Sequence, residues 1–244
     1  VSLFAMKKHI SGSLAILLLA ATAYWGCQHQ PTLPELQRKC LLAKTEEAKA
    51  EVVAELEKYY YNLPVPNALR DSVEQKVAAQ IDTTQINWVE DRADTNVYRM
   101  ESRLQSLLTF VAVAGAREEV STFQNLIAQA KLMAQVVDAG TQNNYWVPFV
   151  ERLARCTKDD LRAWLKAKKA EELCRSRQDN EKLFPDAEAY AALGLTLVHA
   201  FEDQRLELDF FQRLLWILYQ HHSLYDLVEA FAQQALAQAE TIKY

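Results

Sequence analysis

From Pro34 onward the apolar residues recur every three or four positions, the period of a helix with one buried face. Leu36, Cys40 and Ala43 form one seam, and Val52, Leu56 and Tyr59 form a second. Thr32 is placed as an N-cap, Pro34 suits the first turn, and Glu35 suits the positive end of the helix dipole. One long helix is predicted to run from there to about Asn62, solvated across Lys44–Lys49. Leu63-Pro64-Val65-Pro66 breaks it, because each proline excludes its predecessor from helical geometry.

Asn67 is expected to cap the next helix, whose face is Leu69, Val73, Val77 and Ile81. Val89, Ala93, Val97, Met100, Leu104, Leu107 and Val111 carry a further face that ends near Gly115. Val120, Phe123, Ile127, Ala130, Ala134 and Val137 follow, with Gly140 as the expected stop. A short helix begins at Trp146, with Pro148 in its first turn. Thr157-Lys158-Asp159-Asp160 reads as a capping box with Asp in place of Glu, opening a helix buried through Leu161, Trp164 and Leu165. Three more helices are predicted after Pro185, to about Phe201, from about Gln204 to Gln220, and from about Leu224 to Ala239. Connections this short make neighbours antiparallel.

Composition agrees with the periodicity. Among 244 residues there are only 5 Gly and 6 Pro, and half are hydrophobic. Glycine falls far below the usual ~7%, so turns needing positive φ are expected to be few. The expected fold class is all-α, built of antiparallel helical hairpins. The net charge of −5 supplies no basic face, so no nucleic-acid partner is expected.

The N-terminal stretch concerns address rather than fold. Lys7, Lys8 and His9 precede a mostly apolar run from Ile10 to Tyr24, too short for the about 20 residues that span a bilayer. This is the pattern of a secretory signal. Two cuts compete. Ala21-Thr22-Ala23 is an A-x-A site, which would free a soluble periplasmic protein. Gly26-Cys27 resembles the end of a bacterial lipobox, although Tyr24 stands where leucine is usual. The lipobox resemblance implies that Cys27 carries a diacylglycerol and that the chain is lipid-anchored at the outer membrane or cell surface. Domains are expected as 1–27 signal, 28–178 helical, and 179–244 a last helical segment, with continuity into the helices before it as the alternative.

That last segment carries the one fold-level resemblance. In Ala189-Tyr190-Ala191-Ala192-Leu193-Gly194-Leu195-Thr196-Leu197, the residues Tyr190, Leu193-Gly194 and Leu197 resemble the first helix of a tetratricopeptide repeat. Phe210-Phe211-Gln212-Arg213 is similar to the aromatic part of its second helix. A second Leu-Gly does not recur at the ~34-residue period, and the resemblance covers the last quarter of the chain. It implies stacked hairpins, an α-solenoid towards the C-terminus, and a concave face for a peptide or protein partner. Tyr190, Leu193, Gly194, Leu197, Phe210 and Phe211 are the partner-binding candidates it implies.

Candidate chemistry is sparse. No nucleotide-binding, nucleophile-elbow or H-E-x-x-H motif occurs, so no cofactor and no enzymatic activity is expected. His222, Asp226 and Glu229 follow helical spacing, and His199 on the neighbouring hairpin could complete a metal or small-ligand corner. Cys40, Cys156 and Cys174 read as small apolar helix residues, with a Cys156–Cys174 bridge as the alternative. Trp88, Trp146, Trp164 and Trp216 read as core. The functional expectation is a membrane-tethered helical interaction module with an envelope protein or peptide partner. The alternatives are a metal- or ligand-binding protein or enzyme using the His199/His222 corner, and the N-terminal part of a tetratricopeptide-type sensor.

Overall fold

Thr32 starts the first helix as its pattern demands: its backbone N–H and hydroxyl both reach Glu35, which reciprocates from the N3 position. The computed structural model describes residues 30–86, 96–199 and 201–242. The leader, Cys27 and Trp88 lie outside the described residues. Ten α-helices and no strand are found among those described, so the fold is all-α. They are α1 (Leu33–Leu42), α2 (Glu46–Tyr61), α3 (Asn67–Thr83), α4 (Val97–Ala116), α5 (Val120–Thr141), α6 (Trp146–Leu153), α7 (Lys158–Arg177), α8 (Phe184–His199), α9 (Gln204–Ile217) and α10 (Tyr225–Thr241). None of these is long and apolar enough to cross a membrane.

The predicted 34–62 helix is two helices. Ala43 and Thr45 are extended, and the Thr45 hydroxyl accepts from the Ala48 N–H at 3.2 Å to start α2 afresh. The solvated middle of the sequence pattern is the turn of a hairpin, and its two seams are the facing sides. Asn67 is the first helical residue of α3 rather than its cap. Gly140 does not end α5: the left-handed residue there is Gln142, with φ 53°. Gly140 stays inside the helix because an added Cβ would lie 2.7 Å from Val97 at the start of α4. The glycine marks a close helix–helix approach. All four left-handed residues described are non-glycine: Glu118, Gln142, Glu202 and Ser223.

α8 is the centre of the molecule. It packs on α7 and α9 and also touches α2 and α3. Nine of its sixteen residues are buried, as expected of a helix that is apolar on every side. After Ile217, α9 continues as one π-helical turn, Leu218–His222, closed by Ser223 at φ 55°. The first described helices meet the last: α1 and α2 both lie against α10. Gln37 donates to Asp226 at 2.7 Å and accepts from the Leu227 N–H at 3.0 Å, and the Cys40 thiol donates to the Asp226 carbonyl. One contiguous apolar core runs through all these helices.

Candidate functional site

The proposed partner residues are spent inside this core. Tyr190, Phe210 and Phe211 are at most 3% exposed, Leu193 and Gly194 are buried, and Leu197 is half-covered. A Cβ on Gly194 would sit 1.9 Å from the Phe210 ring, and Phe211 packs edge-on to Phe231. The motif therefore docks α8 on α9, and apart from half-covered Leu197 a partner could touch these side chains only by opening the fold. Trp146 and Trp164 are core, but Trp216 is 43% exposed and donates to Asp179.

The histidine corner does not assemble. His222 ends the π turn beside Glu188, at 3.4 Å, and near Phe184. From Glu188 to His199 is eleven residues of α8, or about 16 Å. Asp226 lies on the next helix, beyond Ser223, and is held by Gln37. Among the described residues no three His, Cys, Asp or Glu side chains converge as a metal site. Cys40, Cys156 and Cys174, the cysteines among the described residues, are free thiols. Cys156 precedes α7 and Cys174 lies near its far end, about 24 Å along the axis, which is beyond disulfide reach.

His199 instead stands on the lip of an open groove of about 600 Å³, where the α5–α6 and α8–α9 turns meet the end of α10. Two buried aspartates build its frame. Asp138, near the end of α5, accepts from the Trp146 and Val147 N–H groups at 3.0 and 2.9 Å. It thereby satisfies the open N-terminus of α6, which has no cap of its own. Asp203 caps α9 through the Leu206 N–H and also accepts from the Tyr145 hydroxyl at 2.6 Å and the Trp164 indole at 2.8 Å. Burial and the Asp203 charge push the Tyr145 phenol well above its ordinary range, so it stays a donor.

Arg152 of α6 fixes the opposite turn, donating to the Phe201 and Glu202 carbonyls at 2.6 and 2.8 Å. Glu207 marks the floor. It accepts from the Tyr61 hydroxyl at 2.8 Å and from Gln238 at 3.2 Å, joining α2, α9 and α10. Tyr61 also lies against His199, ring centroids 5.4 Å apart. Above this frame the rim is exposed and polar, with Asn144, His199, Glu202 and Gln204 all open to solvent. Such a surface offers fixed hydrogen-bond donors and acceptors.

Of these residues the sequence pattern offered His199 as a metal- or ligand-corner candidate and Trp146 and Trp164 as core. Asp203 carried a readable signal, an acid just before the apolar run of α9. Asp138 carried none, since it sits inside a helix and caps a different one. Comparison with protein-family profiles, with characterised protein sequences and with solved structures finds no match to this chain.

Proposed function

We propose that the chain is a membrane-tethered helical interaction module of the bacterial envelope, and that its partner seats in this groove. The observation that supports the reading most is the contrast between frame and rim. Asp138, Asp203 and Arg152 lock the two turns from below, while Asn144, Gln204 and His199 face outward. A rim held rigid before binding loses little freedom on association, which favours recognition. Lipidation at Cys27 would keep the groove at the membrane surface; replacement by alanine should abolish palmitate labelling.

The test is photo-crosslinking of the full chain in cells. Photoreactive residues go at Asn144 and Gln204 on the rim, and at Lys44, which is exposed at the other end of α2 from Tyr61. The expected result is one envelope protein captured from both rim positions and not from Lys44. Equal capture from all three sites, or none from the rim, overturns the proposal.

A further inference from the structure

A smaller pocket, of about 290 Å³, opens where the end of α7 meets α9 and the π turn. Its lining is Gln178, Gln212, Arg213, Leu215, Trp216 and Tyr219. Gln212 and Trp216 stand one helical turn apart on α9, and Tyr219 follows in the π turn. Two independent features point to a ligand. The first is a pair of open aromatic rings. Trp216 is 43% exposed and Tyr219 47%. Both are held in place: the Trp216 indole donates to Asp179 at 2.8 Å, and Tyr219 packs edge-on to Tyr225, ring centroids 5.4 Å apart. The second is Gln178, the C-cap of α7. It is only 9% exposed, and its carboxamide oxygen is buried without a hydrogen-bond partner among the described residues. Its backbone carbonyl is engaged, 2.7 Å from the His221 ring nitrogen, but the side chain is not. A buried polar group left unpaired costs free energy that a bound ligand can return.

We infer that this pocket binds a neutral sugar ring of a glycan, its apolar face on Trp216 and Tyr219 and a hydroxyl on the Gln178 carboxamide. A pyranose carries a face of C–H groups, which suits the negative face of an indole or phenol ring. Its hydroxyls both donate and accept, so one can serve the amide through either its oxygen or its nitrogen. Charge argues for a neutral ligand. Arg213, the charged member of the lining, already donates to Glu171 at 3.1 Å, so it offers little to an anion and opposes a cation. The volume lies at the small end of the ~300–1,000 Å³ typical of ligand pockets, room for a single ring rather than a buried chain. The pocket shares no lining residue with the groove, so either reading can fail without the other.

The test is ligand-observed saturation-transfer NMR on the full chain, titrated separately with N,N′-diacetylchitobiose, maltose and choline chloride. The expected result is saturable transfer to the ring protons of at least one disaccharide, and none to choline. Trp216→Ala alters an exposed side chain and should weaken that binding about tenfold, the worth of one aromatic face. Gln178→Met removes the unpartnered amide, so it should melt no lower than the parent chain while weakening binding severalfold. A glutamine serving the fold alone would do the reverse. Asn144→Ala, in the groove, should change nothing. The inference is overturned if neither disaccharide saturates by about 50 mM, well past a millimolar Kd, or if choline binds as tightly as the sugar. It is equally overturned if either Trp216→Ala or Gln178→Met binds sugar like the parent chain. A loss on Asn144→Ala would place the sugar in the groove instead and overturn it too.

Discussion

At the scale of single residues Glu57 is a charge held against its environment. Its carboxyl is half-buried on α2, accepts from Gln234 at 3.0 Å, and feels the negative charge of Glu207. Burial first, and then Glu207, raise its pKa above the ordinary carboxylate value. The folded chain therefore holds this proton more tightly than the unfolded chain does. The contribution to stability is full below the ordinary glutamate range and is lost as pH rises through the raised value. Glu57→Gln keeps an acceptor for Gln234 and removes the charge. It should melt above the parent protein at neutral pH, and the gap should close towards about pH 4, where the parent carboxyl is itself protonated. A gap of the same size at both pH values, measured by circular dichroism melts, would sink this account. Little of this was legible in the sequence. Glu57 looks there like one more solvated acid, because the residues that bury it come from α9 and α10. Scarce glycine predicted few left-handed turns, and among the described residues there are four, all at non-glycine positions: Glu118, Gln142, Glu202 and Ser223. Glu118 and Glu202 each have an ion pair there, with Lys158 and Arg152.

At the scale of elements the periodicity was a good guide to where helices lie and a poor one to which faces are covered. Val73, Val77 and Ile81 are buried as their spacing requires. The break at Ala43–Thr45 was legible as a capping threonine followed by two acids, but two apolar seams in register masked it. α8 misled more. Its Tyr190, Leu193-Gly194 and Leu197 pattern was read as one face, whereas Ala187, Ala189, Ala191, Ala192, Leu195 and Val198 are buried too. Small residues around the whole circumference mark a helix enclosed on all sides. At Gly194 an added methyl group would run into the Phe210 ring, which is fully buried. Gly194→Ala should therefore cost about 1–3 kcal/mol by overpacking, despite the better helix propensity of alanine. For a chain of this length that is a fall of roughly 2–10 °C in Tm. Phe210→Leu in the Gly194→Ala background should recover part of the loss, although Phe210→Leu alone destabilises. A double-mutant cycle with no coupling between the two sites would mean that the ring is not what excludes the methyl group.

At the scale of the molecule the decisive contacts join the first described helices to the last, and no local pattern announces them. Gln37 and Asp226 are 189 residues apart in sequence and 2.7 Å apart in space. Tyr60, fully buried on α2, donates to Glu188 of α8 at 3.0 Å, and α1 and α2 both rest on α10. In an open stack of repeats each unit touches only its neighbours, and trimming one end spares the other. Here the first hairpin depends on the last helices. The expected domain boundary at 178/179 falls in the turn between α7 and α8, which pack along each other. Cutting there would expose Leu173 and Cys174 of α7, and in the same fragment Val53, Leu56 and Tyr60 of α2 would lose the cover of α8 and α10. Residues 28–178 expressed alone should therefore lack a cooperative thermal transition, while residues 28–244 should melt in one step. Thiol labelling supplies an independent reading. Burial pushes the Cys174 thiol up to about 12, so in the intact chain it should resist alkylation, with half-buried Cys156 reacting first. In the truncated chain Cys174 should react at the rate of an unfolded thiol. A fragment that melts cooperatively and still protects Cys174 would show that the helices before residue 179 form a domain of their own.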